Sequence, residues 1–283
     1  YGIFCKTNIA MCENMEVYKM DMIGFIGMGN MGTAMLKGAK RTFDGSRIIF
    51  HRKSVDKMKK LAEEEKVNYA MSNSEVVEKS KYIILAIKPQ MFEKVIDEIN
   101  DSLDNDKVII SLAPGFTITQ LKEKLKAGRI VRSMPNTPAM IGEGMTGVCF
   151  DENEFDENEI DVINKIFEAT GKAKKVDEKL MNSVVCASGS SPAYVFMFIE
   201  ALADSAVKCG LPRKDAYEFV AQTVLGSAKL MLETGKHPGE LKDMVCSPGG
   251  TTIAGVAELE KNGFRKAIFA ATDACFDKCV NIK

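Results

Sequence analysis

The sequence predicts an α/β chain: a doubly wound parallel sheet in its first part and an all-helical domain after it. Three observations predict it. Short, nearly continuous apolar runs alternate with helical segments between about residues 21 and 178. Glycines at 27, 29 and 32 follow the first of those runs directly. From about residue 179 the alternation stops, and long helical periods continue to residue 283. Strands that read apolar on both faces belong to a sheet covered on both sides, as parallel βαβ connections produce.

The strand-like runs are MIGFIG (22–27), RIIFH (47–51), YIILAI (82–87), KVIISLA (107–113) and GRIVRSMP (128–135). Helical spacing occupies 31–41, 54–65, 74–79, 91–100 and 117–126 between them. TGVCF (146–150) and AKKV (173–176) are expected as further edge strands. The acidic run DENEFDENE (151–159) reads as a solvated loop and helix start. Beyond it come three long helical stretches: AYVFMFIEALADSAVKCG, RKDAYEFVAQTVLGSAKLMLETG and the segment from Ile253 to Val280. Gly210-Leu211-Pro212 and the segment 235–238 separate them. Two of these helices are apolar around much of their circumference, and a second subunit is the natural cover. Residues 1–20 carry charges without a signal-peptide core and are expected to be a loose extension or an expression remnant.

Apolar residues make up 46% and charged residues 27% of the chain, a globular mix. Lys and Arg total 38 against 39 Asp and Glu, so no bulk charge draws it to nucleic acid or to a membrane surface. No apolar run approaches the roughly 18 residues of a membrane span. The eight cysteines are scattered, there is no CxxC pair, and the two histidines, His51 and His237, stand alone. Neither a metal centre nor a disulfide framework is expected, and a reducing cytoplasm fits best. Cys275 and Cys279, one helical turn apart, read as a packed helix face.

Gly27-x-Gly29-x-x-Gly32 sits between the first strand and the first helix, the order of a Rossmann-type dinucleotide site. There Gly27 permits the tight turn, Gly29 lets backbone approach a pyrophosphate, and Gly32 lets helix and strand pack closely. The helix N-terminus then offers free N–H groups to the anion. At the end of the second strand, where an NAD site usually carries an acid, the chain has His51-Arg52-Lys53-Ser54. A guanidinium and an ammonium there suit a 2′-phosphate, so NADP(H) is expected ahead of NAD(H). A solvated basic turn is the other reading. Lys88-Pro89 stops the strand that would border the nicotinamide.

CSPGGTTIAG (246–255) turns sharply and opens an apolar helix. Alone it is helix punctuation. Taken with GFIGMGNMG (24–32), ILAIKPQ (84–90), RSMPNTPAMIGEG (132–144), ASGSSPAYVF (187–196), GLPRKDA (210–216), HPGELKDMVCSPGGTTIAGVAELE (237–260) and GFRKAIFAA (263–271), it makes the chain from about Asp21 onward resemble the pyrroline-5-carboxylate reductase family. The resemblance implies NAD(P)H-dependent reduction of the cyclic imine 1-pyrroline-5-carboxylate to L-proline, the last step of proline synthesis. It also implies a homodimer built on a helical dimerisation and substrate domain, with a pentamer of dimers, a homodecamer, as a further assembly. By position, Ile26, Gly27, Met28, Gly29, Asn30 and Met31 would wrap the pyrophosphate. Arg52 and Lys53 would hold the ribose phosphate and Asn73 the adenosine; Ala86, Ile87, Lys88, Pro89, Leu112 and Ala113 would line the nicotinamide. Ser247, Gly249, Gly250, Thr251 and Thr252 would form the substrate pocket, with Thr252 and Ser247 as the catalytic pair. The chain departs from the family at Ser191, where glycine is usual, and at Met244, where a polar residue is common.

An imine accepts hydride at carbon and a proton at nitrogen, so the reaction needs alignment and a dry pocket rather than a metal or nucleophile. A glycine turn at a helix start can bind the substrate carboxylate through backbone dipoles, without a cation that would disfavour the iminium. Thr252 can then hydrogen-bond the ring nitrogen and relay its proton; its plainer role is to satisfy a backbone donor at the helix start. The rival readings are a β-hydroxyacid dehydrogenase, another imine reductase, or an NADP(H)-sensing scaffold without turnover. The first would need a lysine in the stretch SPAYVFMFIEALAD, which has none.

Overall fold

A computed structural model describes residues 21–281; the extension expected at 1–20 lies outside the described residues. The chain divides into two compact units, the first ending at Glu178 and the second beginning at Lys179.

In the first unit the strands are β1 (Ile23–Ile26), β2 (Ile48–His51), β3 (Asn68–Tyr69), β4 (Tyr82–Leu85), β5 (Val108–Ser111), β6 (Arg129–Met134), β7 (Gly144–Cys149) and β8 (Gly171–Lys175). Its helices are α1 (Asn30–Thr42), α2 (Val55–Glu65), α3 (Asn73–Lys79), α4 (Phe92–Ile99), α5 (Ile118–Lys124) and α6 (Glu157–Glu168). The strands form one sheet in the order β3-β2-β1-β4-β5-β6-β7-β8. Side chains alternate along each strand, as the two-residue period requires. Ile23, Phe25, Ile48, Phe50, Tyr82, Ile84, Val108 and Ile110 point to one face, where they meet Met35 and Leu36 of α1, Met58 of α2 and Phe167 of α6. Ile26, Ile49, Ile83, Leu85, Ile109 and Ile130 point to the other, against Val76 and Val77 of α3, Phe92 and Ile96 of α4 and Leu121 of α5. Each such side chain, when fully buried, contributes about 1.5–3 kcal/mol. The sheet is therefore sandwiched, and its strands are apolar on both faces for that reason.

Two expectations for this unit need correction. The sheet is not parallel throughout, because β7 runs antiparallel to β6 and β8 runs parallel to β7. The segment 135–143 between β6 and β7 holds only the single turn of 3₁₀ helix Thr137–Ile141. A parallel return needs a crossover of a dozen or more residues; β7 and β8 have one in α6. The run 151–159 is also not solvated throughout. Asp156 caps α6 in a reciprocal capping box with Glu159, but Glu159 itself is only 1% exposed. Its carboxylate pairs with Arg129 and, at 3.2 Å, with Lys81, so three partners replace the water it gives up. The two-residue β3 is too short to show in the hydrophobic pattern.

The second unit consists of α7 (Met181–Val184), a π-helical turn (Val185–Gly189), α8 (Ser191–Lys208), α9 (Arg213–Thr234), α10 (Pro238–Val245), α11 (Thr251–Lys261) and α12 (Phe264–Val280). The helical stretch expected from Ile253 to Val280 is made of two helices, because Gly263 takes a left-handed φ of +75° and ends the first. The buried apolar cluster between α8 and α9 is small: Ala203, Ala216 and Val220. Phe196, Met197, Phe219, Leu232 and Phe269 are 60–69% exposed. The stretch Glu178–Lys208 contains an 18-residue window of mean hydropathy 1.3, long and apolar enough to cross a membrane by length and composition. No uninterrupted apolar run within it approaches roughly 18 residues, because Glu200 and Asp204 break it. The same composition suits a helix that docks against other helices.

Candidate active site

In an open α/β sheet the ligand crevice lies outside the carboxyl ends of the strands, where the strand order reverses. Here that point falls between β1 and β4. A cleft of about 500 Å³ opens there. It brings together Ile26, Gly27, Met28 and Gly29 after β1, Arg52 and Lys53 after β2, Asn73 of α3, and Ala86, Ile87 and Lys88 after β4. His51 and Ser54 of the basic corner line it too, with three residues that the sequence did not single out: Lys57, Met91 and Val95. Lys57 stands one helical turn beyond Lys53, and that spacing was the available signal.

The three glycines do different work. Gly27 has φ +93°, and a Cβ on it would stand 2.5 Å from the Ala86 carbonyl oxygen. A Cβ on Gly32 would lie 1.9 Å from the Gly27 oxygen. These two are glycine because protein backbone crowds them. At Gly29 a Cβ would meet nothing within 4 Å. That glycine faces open cleft, and the space is free for a ligand to touch backbone. Immediately beyond it α1 begins with no side-chain cap and no acid in its first turn. Its first internal bond runs from Thr33 N–H to Gly29 O, at 2.9 Å, which leaves the N–H groups of Asn30, Met31 and Gly32 without intrahelical partners. An anion is the complement of that helix end.

The basic corner is shaped by its neighbours. His51 donates from Nδ1 to the Ala70 carbonyl at 3.0 Å, which fixes the ring at the end of β2. Asn73 donates to Glu98 at 2.7 Å. Among the described residues Arg52, Lys53 and Lys57 have no ion-pair partner. Three cations with no carboxylate between them fit a phosphate better than a ribose diol. The residues present therefore fit a dinucleotide carrying an additional phosphate.

The other expected cofactor residues lie around the cleft rather than in its lining. Asn30 is the exposed first residue of α1, and Met31 packs against the core. Pro89 opens the turn that follows Lys88. Leu112 and Ala113 follow β5 and are buried, one against each face of the sheet, so only their backbone is available to a ligand. A larger hollow, about 580 Å³, lies at the amino ends of the strands among Asp21, Lys81, Arg129 and Glu159. Its charges are already paired with one another, and it is the sheet's structural ion network.

The second unit holds the expected substrate turn. Gly250 donates to the Ser247 carbonyl at 3.1 Å, closing a turn over 247–250, and Gly249 has φ +69°. A Cβ on Gly250 would be 2.4 Å from Ser247 Oγ, so the serine hydroxyl rests where only glycine leaves room. Helix α11 begins at Thr251 without a side-chain cap or an acid in its first turn. Its first internal bond is Ala254 N–H to Gly250 O, at 3.4 Å. The N–H groups of Thr251, Thr252 and Ile253 are thus a second set without intrahelical partners, on an exposed turn. The departures from the family pattern are visible too. Ser191 donates its hydroxyl to the Ala187 carbonyl at 2.7 Å, inside the π-helical turn, and Met244 is exposed beside Lys236.

Residues 22–115 match the family described as NADP oxidoreductase, coenzyme F420-dependent, and residues 178–282 match the pyrroline-5-carboxylate reductase dimerisation family. Pyrroline-5-carboxylate reductase of Escherichia coli strain K12 is 49% identical over 90% of this chain and 96% of its own length. The Arabidopsis thaliana enzyme of that name is 41% identical over 89% and 92%. The crystal structure of Plasmodium falciparum pyrroline carboxylate reductase with NADP bound superposes with a TM-score of 0.83 at 32% identity, covering 93% of this chain and 98% of that one. On this agreement across both units, the chain belongs to the pyrroline-5-carboxylate reductase family.

Proposed function

We propose that the chain reduces the C=N bond of 1-pyrroline-5-carboxylate to give L-proline, with NADPH preferred over NADH as reductant. The observation that carries this reading is the open face of Gly29 beside three unpaired cations, in a chain nearly half identical to a named reductase. In the cleft, the N–H groups that open α1 hold the pyrophosphate, and Arg52 and Lys53, joined by Lys57, hold the 2′-phosphate. Lys88 and the backbone of Leu112 and Ala113 border the nicotinamide, which when bound supplies the hydride to the imine carbon.

The substrate carboxylate is held by the N–H groups of Thr251, Thr252 and Ile253, where no side-chain cation competes with the protonated imine. Ser247 keeps the Gly249–Gly250 turn in shape. Thr252 directs its hydroxyl to the ring nitrogen and relays the proton that nitrogen keeps. Hydride to carbon and one proton to nitrogen account for every atom of the product. The working form is a homodimer whose helical units cover the exposed phenylalanines and leucines, with a decamer as the larger assembly. The described cysteines are all free thiols, in keeping with a reducing cytoplasm.

The test follows NADPH absorbance with the purified chain. Oxidation on adding 1-pyrroline-5-carboxylate, slower with NADH, is the expected result. Cofactor binding without turnover would make the chain a sensor instead. Reduction of NADP by 3-hydroxyacids would make it a dehydrogenase.

A further inference from the structure

Cys275 and Cys279 were read from the sequence as a packed face of one helix. The structure adds Cys186 to that face, from the π-helical turn before α8. The three Sγ atoms all lie within 4.8 Å of one another. Cys186 and Cys279 are buried, while Cys275 is half-buried and gives a way in. We infer that these three thiols form a binding site for one thiophilic d¹⁰ cation, of the Zn²⁺ and Cu⁺ class.

The geometry is close to what such an ion needs. With metal–sulfur bonds of about 2.3 Å, trigonal or tetrahedral coordination sets the sulfurs roughly 3.8–4.0 Å apart. Small χ1 adjustments close the remaining gap. Cys275 and Cys279 sit four residues apart on α12, so their side chains share one face. Cys186 reaches that face because it lies in a π-helical turn, whose wider winding re-aims side chains. Cys275 donates to the hydroxyl of Ser190, at the end of that turn, at 3.3 Å. That serine is the kind of outer partner that orients ligands in metal sites. Three converging sulfurs also exceed what a disulfide uses, since one thiol would be left over. Thiolates without carboxylates or histidines select soft cations over Mg²⁺ or Ca²⁺.

On binding, each coordinating thiol releases its proton to solvent and forms a sulfur–metal bond; nothing is oxidised. The ion would tie the turn that launches α8 to the last helix of the chain, two segments far apart in sequence. It would therefore raise the stability of the helical unit.

The experiment titrates the reduced full-length protein with Zn²⁺ alone against a chromophoric chelator, and with Cd²⁺ while recording the ultraviolet thiolate-to-metal band. One ion per chain is expected, with a rise in Tm. Cys275→Ser and Cys186→Ser should each weaken binding by more than the roughly 10- to 100-fold typical of an outer-partner change. Cys209→Ser, at an exposed thiol outside the cluster, should leave it unaltered. If Cys186→Ser fails to fold, protection of Cys275 from alkylation by Zn²⁺ in the unmodified protein decides the question. No binding under reducing conditions, equal binding by Cys275→Ser, or no protection would overturn the site.

Discussion

Thr252 stands second in α11, where its N–H is one of the three without an intrahelical partner. Its hydroxyl is exposed and has no competing cap to make, because the helix opens on Gly250. Replacing it by Ala removes the proton relay and leaves the backbone donors. Turnover should fall by about 10- to 100-fold, with NADPH affinity unchanged, when kcat and cofactor Kd are measured separately. Arg52 belongs to the other half of the reaction. Arg52→Ala should weaken NADPH by roughly 10- to 100-fold, the loss of a hydrogen bond to a charged group, and should leave NADH nearly unchanged in paired KM measurements. Equal losses for both cofactors would return that corner to a solvated turn. Glu159 tests packing instead of chemistry. It is buried among Arg129, Lys81 and its own helix cap. Glu159→Ala takes the carboxylate from Arg129, while Lys81 keeps Asp21, and should cost about 1–3 kcal/mol in urea unfolding. The sequence showed an acidic run there; which acid turns inward is decided by the register of α6 against the sheet.

At the scale of elements, the turn from β1 into α1 separates two kinds of glycine. Gly29→Ala places a methyl in open cleft, and its backbone, at φ −79° and ψ −166°, suits any residue. The variant should keep its stability within about 0.5 kcal/mol and lose NADPH affinity at least tenfold by fluorescence titration. Gly32→Ala drives a methyl into the Gly27 carbonyl. It should lose about 1–3 kcal/mol of stability as well as binding, because the turn itself must shift. Strands β1, β2, β4, β5 and β6 and the first five helices were legible because each combines an apolar period with a Gly, Pro or polar break. The reversal at β7 was not, since GMTGVC pairs equally well in either direction and only the short connection from β6 decides. The π-helical turn was equally hidden, because VCASG carries no pattern that separates it from α-helix.

For the whole molecule, the helical unit buries few large side chains of its own. Ala203, Ala216 and Val220 do not make a core that holds five long or medium helices alone. Phe219, at 65% exposed, sits on the surface that a second copy should cover. Phe219→Asp should shift the protein toward monomer in sedimentation and lower its Tm, and the Tm of the unaltered protein should rise with protomer concentration. A Tm independent of concentration, with an unchanged sedimentation coefficient, would remove Phe219 from the interface.

The sequence by itself determined the sandwiched sheet, the glycine turn, the basic corner and the glycine-threonine start of α11. Each is written in neighbouring residues whose spacing is enforced by backbone geometry. Tertiary structure alone decided that β7 runs against β6 and that Glu159 is buried. It alone brought Cys186 to Cys275 and Cys279. Those are contacts between segments distant along the chain, and no local periodicity encodes which side chains meet once separate elements pack.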